Sequence, residues 1–289
     1  MGRAATHRAT RGHSARDRRT AAATNPRGEL QSCSDQAGHD LLAADLLAGR
    51  ARRSNLATAA MNFDRGTPEE LLRPLNEAEQ KHAPKDLFVA GDRSLLRSGP
   101  AVAIVGSREA SPAGLARADK LARLLVKHGV IVMSGLAEGI DTAAHLGAMK
   151  HGGRTIAVLG TPLDQCFPAK NRGLQSDIMR DHLAVTQFAS GTKVGKHTFP
   201  MRNRTMALLS DATVIIEAKD SSGSLHQGWE AIRLGRPLFL AKSLFDDAAL
   251  EFPREFERYG AEVLTDETLA ALIEQLPQGP RGTVIPIPF

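Results

Sequence analysis

Two clusters of side chains, far apart along the chain, carry groups able to grip an anion. The first is Gly106-Ser107-Arg108, where glycine admits a ligand close to the backbone, serine adds a hydroxyl and arginine offers a planar fork matched to phosphate. The second is the stretch from Phe199 to Leu225, which holds Arg202, Asn203 and Arg204 and closes on Ser222, Gly223 and Ser224. Two guanidiniums and an amide at the head of a helix would add their charge to the helix dipole. A loop of serine and glycine presents hydroxyls and free N–H groups of the kind that cradle phosphate. Each cluster also has an ordinary structural reading, and Lys170, in the loop from Leu159 to Asn171, is either a further phosphate contact or a solvated lysine.

Asp141 and His145 stand four residues apart on one helix face, a spacing open to an acid–base or metal pair. The favoured reading is structural: Asp141 caps the first turn and His145 makes a packing hydrogen bond, because no third ligand or nucleophile has suitable spacing. No GxGxxG fingerprint, Walker A sequence, HExxH, zinc-spaced Cys/His set or GxSxG elbow is present. Neither a metal nor a cofactor is expected.

These residues need a frame, and the apolar pattern supplies one. AVAIVGS (101–107) is apolar on both faces and reads as a fully buried strand; Ser111-Pro112 then starts a helix, with serine as N-cap and proline at the first helical position. The unit repeats as strands at 130–135, 154–160, 183–188, 212–218, 237–241 and 261–264. Helices intervene at 139–150, 171–181, 201–210, 225–234, 249–259 and 267–276. LFVAGD (87–92) reads as a short edge strand. Strands alternating with helices of about ten residues imply parallel pairing with right-handed crossovers, hence a doubly wound α/β sheet. In such sheets ligands sit outside the carboxyl ends of the strands, where both clusters fall.

The chain has 289 residues, 42% hydrophobic and 24% charged, with a formal net charge of +5. Residues 1–60 hold ten Arg, no Lys and five acidic residues and so carry the whole excess, while the remainder has 27 basic against 27 acidic side chains. A polyanion site must therefore be a local cluster rather than a uniformly basic surface. The Arg- and Ala-rich segment 1–60 is expected to be a disordered extension, with transit-peptide and nucleic-acid-arm readings beside it and Met61 as a plausible start. Residues 61–85 read as a helical lead-in, 86–276 as the core domain and 277–289 as a loose tail. Cys33 and Cys166 suggest neither a disulfide framework nor a thiolate metal site. No apolar run approaches the roughly 18 residues of a membrane span, so the expected location is the cytoplasm, away from any membrane.

Five blocks in order, VAIVGSR, SGLAEGIDTAAH, TIAVLGTPLD with FPAKN, FPMRNR with LLSDATVIIEA, and SSGSL, resemble the DprA/Smf family of DNA-processing proteins across roughly residues 86 to 241. The resemblance implies a Rossmann-like core that binds single-stranded DNA, forms a homodimer and helps load a RecA-type recombinase in natural transformation, without being an enzyme. Carried over by motif, the phosphate-facing positions are Gly106, Ser107, Arg108, Lys170, Arg202, Asn203 and Arg204, with Ser222, Gly223 and Ser224 lining the same crevice. Glu138 stands where the family pattern carries Arg. Neither the helical N-terminal domain nor the winged-helix C-terminal domain of many members is recognisable, which implies a core-only member.

With 4% aromatic residues, one Trp and one Tyr, a base-stacking platform is not expected, and DNA binding would run through phosphates with strong salt dependence. The competing reading is an enzyme or sensor for a nucleotide-derived ligand. Ser222-Gly223-Ser224 followed by Glu230 loosely echoes phosphoribohydrolases, Rossmann-like relatives that use a Gly-rich loop and a catalytic Glu. A third reading is a protein scaffold with a vestigial crevice.

Overall fold

The computed structural model of the chain describes residues 63–277. The expected extension 1–60 and all but the first residue of the 277–289 tail lie outside the described residues.

The strands are β1 (Asp64–Gly66), β2 (Leu87–Gly91), β3 (Ala101–Val105), β4 (Ile131–Ser134), β5 (Thr155–Leu159), β6 (Leu183–Thr186), β7 (Ala212–Ile215), β8 (Leu238–Ala241) and β9 (Glu262–Leu264). They form one sheet in the order β1-β2-β6-β5-β4-β3-β7-β8-β9. From β6 to β9 every pair is parallel, whereas β2 runs antiparallel to both β6 and β1. The helices are α1 (Pro68–Leu71), α2 (Glu77–His82), α3 (Pro112–Lys127), α4 (Ile140–Lys150), α5 (Arg172–Asp181), α6 (Thr198–Leu209), α7 (Ser224–Arg233), α8 (Lys242–Phe245), α9 (Phe252–Arg258) and α10 (Asp266–Gln275).

The strands are apolar on both faces because both faces are covered. Ala101, Ala103 and Val105 of β3 pack into the core layer that also holds Met206 of α6 and Phe256 of α9. Val102 and Ile104 point the other way, into the layer of Ala118, Leu121 and Leu125 from α3 and Ala144 and Ala148 from α4. This is the doubly wound α/β sheet that the alternating pattern predicts.

Three local expectations change. β2 is not an edge strand, because Asp64–Gly66, three residues too short and polar to show a period, pairs alongside it. The lead-in 61–85 therefore contributes a strand to the sheet as well as its two short helices. α6 begins at Thr198, one turn before the expected Met201, since Pro200 fits the first turn of a helix, where its missing N–H costs nothing. Arg202 to Arg204 accordingly lie in the second turn, beyond the strongest part of the helix dipole.

Sheet order places the site. β3 leads to β4 on one side, and the chain later returns to β3's other side as β7, so the winding reverses between them. Val105 is registered against Ile215, which sets the two following loops side by side at the carboxyl rim. A crevice opens at such a switch point because neighbouring loops depart to opposite faces.

Candidate nucleic-acid interface

The loop after β3 is clamped from two directions. Ser107 N–H donates to Glu217 O at 2.6 Å, and Ile140 N–H donates to Ser107 O at 3.1 Å. A Cβ at Gly106 would lie 2.7 Å from Ile140 Cγ1 and 2.8 Å from Glu217 O, so only glycine passes between them. Gly139 has φ +74°, and a Cβ there would meet Ser107 O at 2.2 Å, so this position demands glycine for both conformation and space. Glu217 also takes hydrogen bonds from Ser111 N (2.8 Å) and Ser111 Oγ (2.6 Å), anchoring the start of α3. Arg108 emerges exposed from this rigid loop with its guanidinium over the Phe199 ring, 5.7 Å from the centroid. It has no carboxylate partner among the described residues, which leaves its charge available.

The loop after β7 supplies the opposite wall. Ser222 N–H donates to Lys219 O and Lys219 N–H to Ser222 Oγ, both at 2.8 Å, closing a tight turn. Asn203 Nδ2 donates to Gly223 O at 3.1 Å, tying α6 to the turn. Ser224 Oγ is buried without a partner at the first residue of α7, and Gln227 Oε1 is buried and unpartnered on the same wall, its Nε2 reaching Thr213 Oγ1 at 3.2 Å.

Between the walls lies a cleft of about 470 Å³. Gly106, Ser107, Arg108, Arg202, Asn203, Ser222, Gly223 and Ser224 all line it, so the two distant clusters converge. Asp141, read from the sequence as a cap, joins them, as do Phe199, Lys219 and Gln227, which sequence reasoning did not assign although Phe199 and Lys219 stand three residues before Arg202 and Ser222. A side pocket of about 250 Å³ continues from Arg108 and Phe199 to Phe167 and Glu138. Phe167 and Phe199 meet with centroids 5.4 Å apart.

Arg202 and Arg204 play different parts. Residues two apart on a helix diverge by about 200°, so both cannot face the cleft. Arg204 lies outside it, 3.3 Å from Glu230, which also pairs with Arg233 at 3.0 Å. Arg202 forms the floor, only 6% exposed, its Nη1 donating to Val158 O at 3.1 Å. The guanidinium occupies the space above Gly135, where a Cβ would fall 1.5 Å from Nη1. The buried Asp141 carboxylate balances it, accepting from Gly135 N (3.1 Å) and Ala137 N (3.3 Å). Burial pushes the Asp141 carboxyl up and the Arg202 guanidinium down, and each opposes the other's shift. Lys170 sits at the mouth, 78% exposed and 3.4 Å from Glu138, outside both pockets.

His145 is structural, as the favoured reading had it. Thr155 Oγ1 donates to Val132 O at 2.8 Å, so His145 Nδ1, 2.7 Å away, is the donor to that hydroxyl. Burial, then the neighbouring His182 and Arg202, push its pKa down to about 3, so the ring is neutral. Asp141 holds the backbone of the 135–137 loop rather than capping a helical turn. Among the described residues no group of three His, Cys, Asp or Glu side chains could hold a metal ion.

The chain is similar to a set of known proteins. Residues 64–276 match the family model of DNA recombination-mediator protein A. DNA processing protein DprA of Streptococcus pneumoniae is 38% identical over 66% of this chain and 67% of its own length, and that of Bacillus subtilis 33% identical over 68% and 65%. Protein Smf of Synechocystis is 37% identical over 65% of this chain, the matched part spanning 48% of the relative. The chain thus spans between about half and two thirds of the relatives it matches. The solved structure of DprA from S. pneumoniae superposes with a TM-score of 0.64 at 30% identity, covering 85% of this chain and 83% of the other. DNA processing protein A of Helicobacter pylori, described for its unique single-stranded DNA binding mode, gives 0.64 at 27% identity over 75% and 99%.

Proposed function

The chain belongs to the DNA recombination-mediator protein A family, and from that premise we propose that it binds single-stranded DNA through phosphates at the β3/β7 rim, as a non-enzymatic, cytoplasmic recombination mediator. One observation carries the reading: Arg108, exposed and without a carboxylate partner among the described residues, rises from a glycine-clamped loop opposite a serine-glycine turn in one cleft. A phosphate there would meet a planar fork on one side and hydroxyls with helix-start N–H groups on the other. Gly106, Ser107, Arg108, Ser222, Gly223 and Ser224 are its contacts, Arg202 and Asn203 its floor and brace, and Lys170 an outer contact. Arg204 has no part in the grip, since Glu230 holds it outside the cleft. The family relationship further supports a homodimer that hands the strand to a RecA-type recombinase during natural transformation. It is in keeping with this that no helix among the described residues is long and apolar enough to cross a membrane.

The nucleotide-hydrolase reading draws no support from Glu230, whose carboxylate is engaged by Arg204 and Arg233 and does not line the cleft. Gel-shift titration with single- and double-stranded DNA tests the proposal, with Arg108→Ala beside the wild type. Single-strand preference lost in the variant is the expected result. Equal affinity of the two proteins, or release of free base from nucleoside monophosphates, counts against it.

A further inference from the structure

The cleft occupies only the β3/β7 part of the carboxyl rim. Farther along, the loop from Gln187 to His197 follows β6, and Lys85 precedes β2 at the same rim because β2 runs antiparallel to β6. Taken in sheet order, the rim presents Lys219 after β7, Arg108 after β3, Lys170 after β5, Lys193 and Lys196 after β6, and Lys85 before β2. Glu109 after β3, Glu138 after β4 and Asp164 after β5 interrupt the row. Strands lie about 4.8 Å apart, so the five steps from β7 to β2 span roughly 24 Å.

The β6/β2 side is the more cationic half. From Gln187 to Leu209 the chain contains no Asp or Glu. Lys85, Lys193 and Lys196 are exposed and have no ion-pair partner among the described residues. The acidic neighbour on this side is Asp86, held by Arg65 at 2.8 Å, with the adjacent Lys85 charge acting on it as well. The cleft half, by contrast, carries Glu109 and Glu138 beside its cations. A surface hollow of about 500 Å³ lies on the β6/β2 side, walled by Arg65, Lys85, Asp86, Phe88, Thr192 and Met201, with the Arg65 guanidinium over the Phe88 ring at 5.9 Å from its centroid. Met201 is 42% exposed there, an apolar surface beside unpaired cations. α6 separates the two halves: Phe199, Arg202 and Asn203 face the cleft, while Met201 faces the hollow.

We infer that the rim carries a second nucleic-acid contact: a single strand held at Arg108 passes over the start of α6, its phosphates against Lys193, Lys196 and Lys85 and a base in the Met201–Phe88 hollow. This rests on the single-strand reading of the cleft and extends it from a pocket to a track. A single strand fits better than a duplex, because the hollow offers apolar surface to an unstacked base and the row is one cation wide.

The test is a length series of oligothymidylates read by fluorescence anisotropy, comparing wild type with the Lys85→Ala/Lys193→Ala/Lys196→Ala triple variant. Removing one lysine–phosphate interaction should flatten the salt slope by about 0.7, which near 0.1 M salt is about fivefold in affinity. The triple variant is therefore expected to bind strands of about 15 nucleotides about a hundredfold more weakly, with a slope shallower by about 2. A thymidine dinucleotide, too short to reach from Arg108 to the lysines three to four strand steps or roughly 14–19 Å away, should bind both proteins alike. Unchanged long-strand affinity and slope, or equal losses for both lengths, overturns the track. Absence of wild-type binding at any length overturns instead the single-strand reading on which it rests.

Discussion

Gly135→Ala is the sharpest perturbation the structure offers, because it adds one methyl group and touches one interaction. The new Cβ would fall 1.5 Å from Arg202 Nη1 and 2.3 Å from Cζ, so the guanidinium must retreat by about 2 Å to reach ordinary contact. Retreat breaks the 3.1 Å hydrogen bond to Val158 O and moves the cation relative to Asp141. A hydrogen bond to a charged group contributes about 1.5–3 kcal/mol and overpacking costs about 1–3 kcal/mol. A loss of about 3 kcal/mol corresponds to a Tm lower by roughly 6–12 °C in a domain of this size. Thermal unfolding by circular dichroism measures it. In an Arg202→Leu background, itself destabilised by leaving Asp141 unbalanced, the added methyl should cost much less, and the double-mutant cycle reads that coupling. A Tm within about one degree of wild type, or strictly additive effects, would refute Arg202 as a packed floor.

Other outcomes follow from neighbouring residues. Glu79 is buried and binds Arg73 at 2.7 Å and Arg236 at 2.5 Å, tying α2 to the segment before β8. Burial pushes its carboxyl up, but Arg73, Asn76 N–H and Arg236 outweigh this and hold it below the usual carboxylate range. Glu79→Ala should cost about 3 kcal/mol by chemical denaturation, with DNA affinity of the folded fraction unchanged. His145, neutral with a folded pKa of about 3 against 6.5 for the free side chain, binds protons more readily when unfolded. Its stabilising contribution is fully present above pH 6.5 and is lost as pH falls toward 3, by up to a few kcal/mol. His145→Gln should flatten that part of a Tm–pH profile. Glu138→Arg removes an anion from the side pocket and frees Lys170; single-strand affinity should rise several-fold and the salt slope steepen by about 0.7–1.4.

Much of the frame was legible because the physics is local. A run such as AVAIV, short, rich in β-branched residues, apolar on both faces and followed by glycine, reads as a covered strand with a loop at its end. Ser111-Pro112 announced a helix that the structure starts at Pro112, with Ser111 accepting from Gly114 N–H. What escaped depended on partners distant in sequence. β1 is three residues long and exists by pairing with β2. Pro200 disguised the first turn of α6, and with the helix start displaced, Arg202 and Arg204 read as neighbours on one surface rather than floor and flank. Arg202 is buried because Gly135 leaves room and Asp141 supplies charge, neither of which a hydropathy pattern marks. Glu79 lies in the polar run NEAEQKH, and only the fold brings Arg236, far along the chain, over it.

The central claim, that Arg108 grips a phosphate at the β3/β7 rim, is tested most directly by the salt dependence of single-strand affinity in wild type and Arg108→Ala. The account predicts a linear fall of log K with log salt, and a variant whose slope is shallower by about 0.7 as one phosphate interaction disappears. A wild-type affinity indifferent to salt, or parallel slopes for the two proteins, would contradict it.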